Sequence, residues 1–230
     1  MLFKTRGLVL SYIKYKETSI VVKIFTDYFG VQSYIVNGVR SKKSHSKIAL
    51  FQSLTLLDLV VYKNDKRDLQ RISEIKCLAP YQNIPFDHNK SAVAMFLAEI
   101  LSKSLSTEEN QFELFNFLQN SLLHFDLDIS NNRNNFHLYF CLQLAHFYGL
   151  SADTKEIIKQ VENWLKCTKS ELDICIAALK KLENGSIGTE TALSSIERKL
   201  SLYAITMFLQ RNIPALQQLK SLDVIKSVYQ

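Results

Sequence analysis

The first third of the chain consists of short apolar, β-branched runs separated by turn residues. Such runs are typical of β-strands. The turn residues include Gly30 and the segment from Asn64 to Lys66. Five strands within about 80 residues, with no helical period between them, predict a closed or nearly closed barrel of the OB-fold type. The predicted strands are Leu8–Ile13, Ser19–Phe25, Val31–Val36, Leu54–Tyr62 and Asp68–Leu78.

The rest of the chain has a helical period. After a linker from Pro80 to Asp87, apolar residues recur three and four positions apart. We therefore predict an α+β protein, with an N-terminal five-stranded OB-fold β-barrel over residues 1–80 and an all-α C-terminal domain over residues 81–230. The predicted helices are Val93–Leu105, Phe112–Leu123, Phe136–Phe147, Ile157–Leu165, Leu172–Leu182, Thr191–Leu209 and Leu216–Val228.

A basic, serine-rich segment at residues 37–51 separates the third and fourth predicted strands. No helical or alternating apolar period is present before Ile48, so we predict a mobile loop. Cations on such a loop suit the phosphates of a polyanion, and the alternative is a loop that is merely solvated. The cations, with no acidic residue between them, are Arg40, Lys42, Lys43 and Lys47.

The positive charge of the chain is concentrated at its N-terminal end. The net charge is +6, yet residues 1–80 hold 14 Lys or Arg against 6 Asp or Glu, whereas residues 81–230 hold 14 against 16. This asymmetry predicts a nucleic-acid-binding surface on the first 80 residues. Besides the loop cations, the predicted contacts are Lys4, Arg6, Lys14, Lys16, Lys63, Lys66 and Arg67. Candidates for stacking on bases, if they do not belong to the barrel core or surface, are Tyr12, Tyr15, Tyr34 and Tyr62.

No catalytic constellation is recognisable in the sequence. It contains neither a phosphate-binding loop nor a glycine-rich dinucleotide motif. Asp126 and Asp128 are a candidate metal pair, but solvated loop acids are the simpler interpretation. His137 and His146 are nine positions apart, which does not suit one metal on one helix face. We predict no catalytic residue, no metal and no cofactor, and we assign Trp164 to the core.

The cysteines and the apolar segments indicate the compartment. The cysteines are widely spread and include no Cys-x-x-Cys pair, which predicts free, buried thiols. No run of about 20 apolar residues is present, and the N-terminus lacks the apolar centre of a signal peptide. We predict a cytoplasmic, nucleoid-associated protein without membrane contact. The four cysteines are Cys77, Cys141, Cys167 and Cys175.

Five short motifs, in order, are similar to one known family. The family patterns are Lys-Thr-x-Gly-Ile-Val-Leu, Tyr-x-Glu-x-(Ser/Asp), Phe-Thr-x-x-x-Gly, Lys-Gly-Val-Arg and Leu-Lys-Ser-Leu. Here they correspond to Lys4–Leu10, Tyr15–Ser19, Ile24–Thr26 with Gly30, Asn37–Arg40 and Leu219–Leu222. The chain thus resembles the RecO family of bacterial repair and recombination mediators, in the form found in Bacteroidetes. The likeness is close over residues 1–150, thin over 151–195, and returns over 196–230.

This resemblance implies an OB-fold followed by a helical domain, and a non-enzymatic mediator role in the RecF pathway. It implies binding of single- and double-stranded DNA, strand annealing, and loading of RecA onto strands coated by single-stranded-DNA-binding protein. RecR is the expected direct partner, and RecA an indirect one. Many relatives carry a four-cysteine zinc module, whose paired spacing is missing here, so zinc is not expected. Residues 151–195 are interpreted as a remodelled replacement.

The resemblance also implies a docking site on the helical domain. The acidic C-terminal tail of single-stranded-DNA-binding protein is expected in an apolar pocket with a basic rim. We place that pocket at Arg133, Phe136, His137 and Phe140.

Two other functions compete with the mediator role. An RNA-binding OB-fold module, acting on ribosomal or transfer RNA, would discriminate through 2′-hydroxyl groups. A nuclease whose acids converge only in the folded chain would cleave in a metal-dependent way.

Overall fold

The computed structural model describes residues 1–40, 45–64, 66–108, 110–128, 134–189 and 191–228. Five strands occupy the N-terminal part, and longer helices follow. The strands are β1 (Leu2–Tyr15), β2 (Ser19–Thr26), β3 (Gly30–Val36), β4 (Leu56–Tyr62) and β5 (Leu69–Cys77). The helices are α1 (His45–Ile48), α2 (His88–Ser104), α3 (Phe112–Leu127), α4 (Phe136–Phe147), α5 (Thr154–Val161), α6 (Lys169–Glu183), α7 (Ser195–Asn212) and α8 (Leu222–Val228).

The strands form a closed barrel in the order β1-β2-β3-β5-β4. Neighbouring strands are antiparallel except β3 and β5, whose parallel pairing closes the barrel. The long strand β1 pairs with β4 along its first half and with β2 along its second half, and its register shifts between Val9 and Ser11. Such a bulge bends a strand, which lets β1 serve both neighbours. The predicted fold class, an OB-type barrel followed by an all-α part, is confirmed.

Apolar side chains from all four antiparallel pairings fill the barrel. The core is sealed by Phe51, which lies in a 3-10 turn at Ala49–Phe51 directly after α1. Ile48 and Leu50 pack against the same core. The predicted loop is therefore wrong for residues 45–51, because these apolar side chains gain enough burial to fix a helical turn that no sequence period reveals. Residues 41–44 lie outside the described residues. The barrel core comprises Val9, Ile20, Val22, Ile24, Phe29, Tyr34, Val39, Phe51, Leu57, Leu59 and Val61.

The helical part is stabilised by caps that the sequence places at helix starts. Thr168 and Ser194 each form a capping box with the glutamate three positions on, Glu171 and Glu197. Asp153 caps α5 by accepting a hydrogen bond from the backbone N–H of Glu156. Within the described ranges, no helix is long and apolar enough to cross a membrane.

The chain divides into two compact units. The first comprises Met1–Gln82 and Leu97–Asn120, and the second comprises Asn83–Phe96 and Ser121–Gln230. The predicted boundary between residues 80 and 81 falls near the end of the first stretch, but the first unit also takes in residues 97–120. As a division of function, the predicted boundary stays a prediction.

Gly30 occupies a position in the first unit that a side chain would disrupt. Its φ is +61°, and a Cβ there would overlap the carbonyl oxygen of Glu108. We expect Gly30→Ala to lower the free energy of unfolding by about 2–3 kcal/mol, because left-handed backbone strain adds to a clash with main chain that has to shift. Urea unfolding followed by circular dichroism measures the loss.

Gly38→Ala is the matched control for this substitution. Its φ is +73°, but nothing lies within 4 Å of the added Cβ. We expect only the strain, about 1–2 kcal/mol, in this variant. Equal losses in the two variants would contradict the overlap at Gly30.

Candidate nucleic-acid interface

A basic groove lies on the first unit where β4 turns into β5. Its volume is about 590 Å³, and Tyr62, with 48% of its surface exposed, forms part of its wall. Four cations line it within ten residues of sequence, so a groove of this size concentrates positive charge on one side of the barrel. The cations are Lys63, Lys66, Arg67 and Arg71.

The shape of this turn is set by one buried amide. Gln70 is buried, its Oε1 accepts a hydrogen bond from the backbone N–H of Asn64 at 2.9 Å, and its Nε2 donates to the Asn64 carbonyl at 2.9 Å. The Asn64 side chain in turn accepts from the backbone N–H of Lys66 at 3.0 Å. These bonds hold the backbone at Asn64 and Lys66, next to the exposed side chains of Lys66 and Arg67.

A second group of cations lies at the end of the β1–β2 hairpin. The backbone N–H of Arg40 donates to the Thr18 carbonyl at 3.0 Å, and its Nη1 donates to the Lys16 carbonyl at 3.3 Å. Lys16 has a positive φ of 50°, and its ammonium lies 5.5 Å from the centre of the Tyr15 ring. These contacts place the start of the basic segment beside the exposed Lys14 and Lys16.

One outward-facing row of residues connects the two groups of cations. In strand register, Tyr62 pairs with Arg71, Arg71 with Ile35, Ile35 with Val21, and Val21 with Ile13. Ile13 is 66% exposed, and Lys14 follows it directly. Four strand spacings cover roughly 19 Å. The row is thus an apolar and aromatic path with cations near both ends.

Arg6 does not belong to this surface. Its Nε forms an ion pair with Asp27 at 2.8 Å, its Nη1 donates to Gln119 at 3.2 Å, and its guanidinium lies 4.8 Å from the centre of the Phe115 ring. The Oδ1 of Asp27 also accepts from the Thr5 hydroxyl at 2.6 Å. This network holds the first unit together, so the geometry argues against the predicted nucleic-acid contact by Arg6.

The remaining predicted cations fall in different places. Lys4 is exposed, but its register row continues through Val60 to Glu74, so an acidic residue shares its face. Lys47 is exposed on α1. Lys42 and Lys43 lie outside the described residues.

The candidate tyrosines separate into exposed and buried side chains. Tyr12, Tyr15 and Tyr62 are each more than a third exposed. Tyr34 lies in the barrel core, where burial raises the pKa of its hydroxyl well above the usual value. For Tyr34 the core position, the alternative to stacking on a base, is therefore the one observed.

The predicted docking pocket for an acidic tail is not supported by the burial of its residues. Phe136, His137 and Phe140 are all buried in the second unit, and the Phe136 ring stacks on Phe125 with centroids 4.2 Å apart. Arg133 lies outside the described residues. Burial, and then the charge of Arg198, lower the pKa of His137 to about 3. Side chains enclosed in this way offer no surface to a peptide.

Asp126 is not a solvated loop acid. It is 2% exposed, and its Oδ1 accepts hydrogen bonds from the backbone N–H groups of Asn83 and Ile84, both at 2.8 Å. The buried ammonium of Lys90 donates to the carbonyl oxygens of Asp126 and Asp128 at 2.7 and 2.8 Å. The arrangement caps the end of α3 and gives Asp126 a structural role.

The cysteines do not form a metal centre in the described part of the chain, where no three His, Cys, Asp or Glu side chains are grouped to hold an ion. Cys141 and Cys175 are buried, as predicted, whereas Cys77 is exposed. Burial raises the pKa of Cys141 to about 12, and burial with the neighbouring Cys167 does the same for Cys175. Thiols in that state are poor nucleophiles and poor metal ligands.

Two residues of interest escaped the sequence analysis. Arg71 was missed because it lies inside a strand. It comes two residues after Leu69, which is exposed, so both side chains lie on the outer face of the barrel. Trp164, assigned to the core, is 58% exposed. It follows the short helix α5, and no apolar period covers it.

The closed barrel and the helices after it define an OB-fold protein with an all-α C-terminal part. Family models place it more narrowly: "Recombination protein O N terminal" matches residues 1–81, and "Recombination protein O C terminal" matches residues 85–183. Two similar proteins, each named "DNA repair protein RecO", come from Phocaeicola vulgatus (31% identical over 247 residues) and Flavobacterium psychrophilum (32% over 242). Both alignments cover all of each chain. The chain belongs to the RecO family, a family of recombination and repair proteins.

Proposed function

We propose that this chain is a non-enzymatic, DNA-binding mediator of recombinational repair in the RecF pathway. The observation that carries the proposal is the groove at the β4–β5 turn of an OB-type barrel. Four cations line this groove: Lys63, Lys66, Arg67 and Arg71. Membership of the RecO family indicates the process in which the groove acts, which is DNA recombination and repair. Since DNA phosphates attract such a surface without regard to sequence, it suits a protein that acts on any exposed strand.

The proposed binding mode follows the row between the two cation groups. Phosphates of a single strand pair with the groove and with the hairpin end at Lys14 and Lys16, while bases meet Tyr62 and the apolar residues between. A path of roughly 19 Å accommodates a short stretch of nucleotides, within the site sizes of about 4–16 nucleotides that OB-folds show. Double-stranded DNA contacts the same cations through its backbone.

The proposed partners rest on family membership. RecR is the direct partner, and together they load RecA onto strands coated by single-stranded-DNA-binding protein, whose acidic tail docks on the helical part. Strand annealing belongs to the same role. A protein acting on chromosomal DNA in a bacterium works in the cytoplasm, so this is the location that the proposal implies.

The test is fluorescence anisotropy of labelled single-stranded DNA across a salt series. In the triple variant Lys66→Ala, Arg67→Ala, Arg71→Ala, we expect the slope of log K against log salt to become shallower by about 2, because three phosphate contacts of about 0.7 each are lost. Affinity falls roughly tenfold or more at low salt.

The control removes the same charge from the second unit through Lys155→Ala, Lys169→Ala and Lys199→Ala, all of which are exposed. Its slope is expected to stay close to that of the unmodified protein. Equal slopes for the unmodified protein and the groove variant would remove the groove from the site. A clear preference for RNA of the same sequence would favour the RNA-binding alternative.

A further inference from the structure

The second unit contains an open pocket that shares no residue with the groove on the first unit. It has a volume of about 570 Å³, within the range of ligand sites. α7 supplies three of its residues at the i, i+3, i+4 spacing that places side chains on one helix face. The lining residues are Gln160, Trp164, Met207, Gln210, Arg211 and Gln217.

The pocket is organised around an exposed indole. Trp164 follows α5, and its backbone N–H donates to the Val161 carbonyl at 2.8 Å. The guanidinium carbon of Arg211 lies 5.1 Å from the centre of the indole ring, yet the Trp164 side chain is 58% exposed. The guanidinium covers part of the ring and leaves apolar aromatic surface open to a ligand.

The pocket walls are held in place by amide contacts. The Oε1 of Gln160 accepts from Asn212 Nδ2 at 2.8 Å, and its Nε2 donates to Glu156 at 2.7 Å. The bond from Asn212 connects α7 to α5, and the bond to Glu156 lies within α5. Gln210 donates weakly, at 3.4 Å, to the Gln217 carbonyl. The segments that carry Trp164 and Arg211 are therefore joined by a hydrogen bond between α5 and α7.

The chemistry of the lining selects the ligand. A flat aromatic face, a neighbouring thioether and amides on the rim match a nucleobase, whose π-face stacks and whose edge carries donors and acceptors. Arg211 makes no ion pair among the described residues and can receive one phosphate. An acidic peptide tail carries several carboxylates, but Arg211 is the single cation among the lining residues. These features favour a nucleotide over such a peptide.

We propose that this pocket binds one nucleotide of single-stranded DNA, with the base against Trp164 and a phosphate at Arg211. This is a contact on the second unit, separate from the barrel surface. In a protein that acts on DNA strands, as proposed above, this pocket gives the second unit a separate contact with unpaired DNA. Duplex DNA is excluded because its bases are already stacked.

The chain carries its own reporter for this contact, because Trp164 is its sole tryptophan. Titration of the unmodified protein with a thymidine oligonucleotide is expected to quench tryptophan fluorescence in step with binding, after correction with free tryptophan for absorption by DNA. A blunt duplex of equal nucleotide concentration is expected to leave the signal unchanged. Absence of quenching when anisotropy shows saturation with the oligonucleotide would overturn the proposal.

Substitutions separate stacking from charge. Trp164→Leu is expected to weaken single-strand binding roughly fivefold to tenfold, as base stacking on an aromatic side chain implies, whereas Trp164→Phe keeps most of the affinity. Arg211→Gln is expected to reduce the salt slope by about 0.7, the value of one phosphate. Lys199→Gln, which neutralises an exposed cation of the same helix outside the pocket, is the control.

The barrel variant distinguishes this proposal from the proposed function. With Lys66, Arg67 and Arg71 changed to Ala, a higher concentration of DNA is needed to saturate the protein, but the quenching of tryptophan fluorescence at saturation is expected to persist. Loss of quenching in that variant at saturation would overturn a separate site. Displacement of the oligonucleotide by an acidic peptide ending in an aromatic residue, combined with Trp164→Leu leaving DNA affinity unchanged, would overturn it in favour of a peptide site.

Discussion

Replacing Asp126 with alanine is expected to lower the free energy of unfolding by about 3–5 kcal/mol. The substitution leaves the backbone N–H groups of Asn83 and Ile84 without their acceptor. It also removes a carboxylate close to the buried ammonium of Lys90, which donates to the Asp126 main chain. Asp126 and Lys90 are each 2% exposed, so water has little access to compensate for the loss.

The measurement is urea unfolding followed by circular dichroism. Asp126→Asn keeps an acceptor for the amides and is expected to lose less, about 1–2 kcal/mol. Asp173→Ala, an exposed carboxylate on α6, is the matched control and is expected to stay within about 0.5 kcal/mol of the unmodified protein. If Asp126→Ala were as stable as that control and abolished a metal-dependent cleavage of DNA, the nuclease alternative would be supported instead.

The second large effect is a loss of stability in acid that depends on His137. Its pKa is lowered from 6.5 to about 3 by burial and by Arg198. In the unfolded chain the imidazole takes up a proton below pH 6.5, and in the folded chain it does not until about pH 3. Stability due to this residue is therefore complete above pH 6.5 and decreases as the pH falls. The decrease amounts to about 4–5 kcal/mol over that window.

The comparison between variants isolates this contribution. In His137→Gln, the free energy of unfolding is expected to fall less steeply between pH 6.5 and 3, so the difference from the unmodified protein narrows as the pH is lowered. His146→Gln removes an exposed histidine from the same helix and is expected to follow the unmodified protein. Parallel curves for the unmodified protein and His137→Gln would show that this imidazole is not held neutral.

The strands were predictable because each is a local pattern. The predicted and observed strands agree to within a few residues except at the start of β1, where Lys4 and Arg6 interrupt the apolar residues that precede Leu8. α1 was not predictable, since it forms only when Ile48, Leu50 and Phe51 meet a barrel core assembled from distant segments.

The site was predictable in its charge but not in its geometry. The cations of the β4–β5 turn are neighbours in sequence, so their grouping was visible. The engagement of Arg6 was not, because its partners Asp27 and Gln119 are 21 and 113 positions away. The same holds for Asp126, whose amide donors are more than forty residues earlier. Contacts between distant residues decide whether a charge is free to bind DNA.

The composition of the first unit has a consequence for the order of synthesis. The turn between β2 and β3 depends on residues made much later, since Val31 donates to the Ser106 carbonyl at 3.0 Å and Asn110 donates to the Tyr28 carbonyl at 2.9 Å. All five strands are synthesised before these partners. Because domains complete as units, the barrel reaches its final form only once residue 120 of 230 has emerged. Until that moment the nascent strands depend on their own pairing alone.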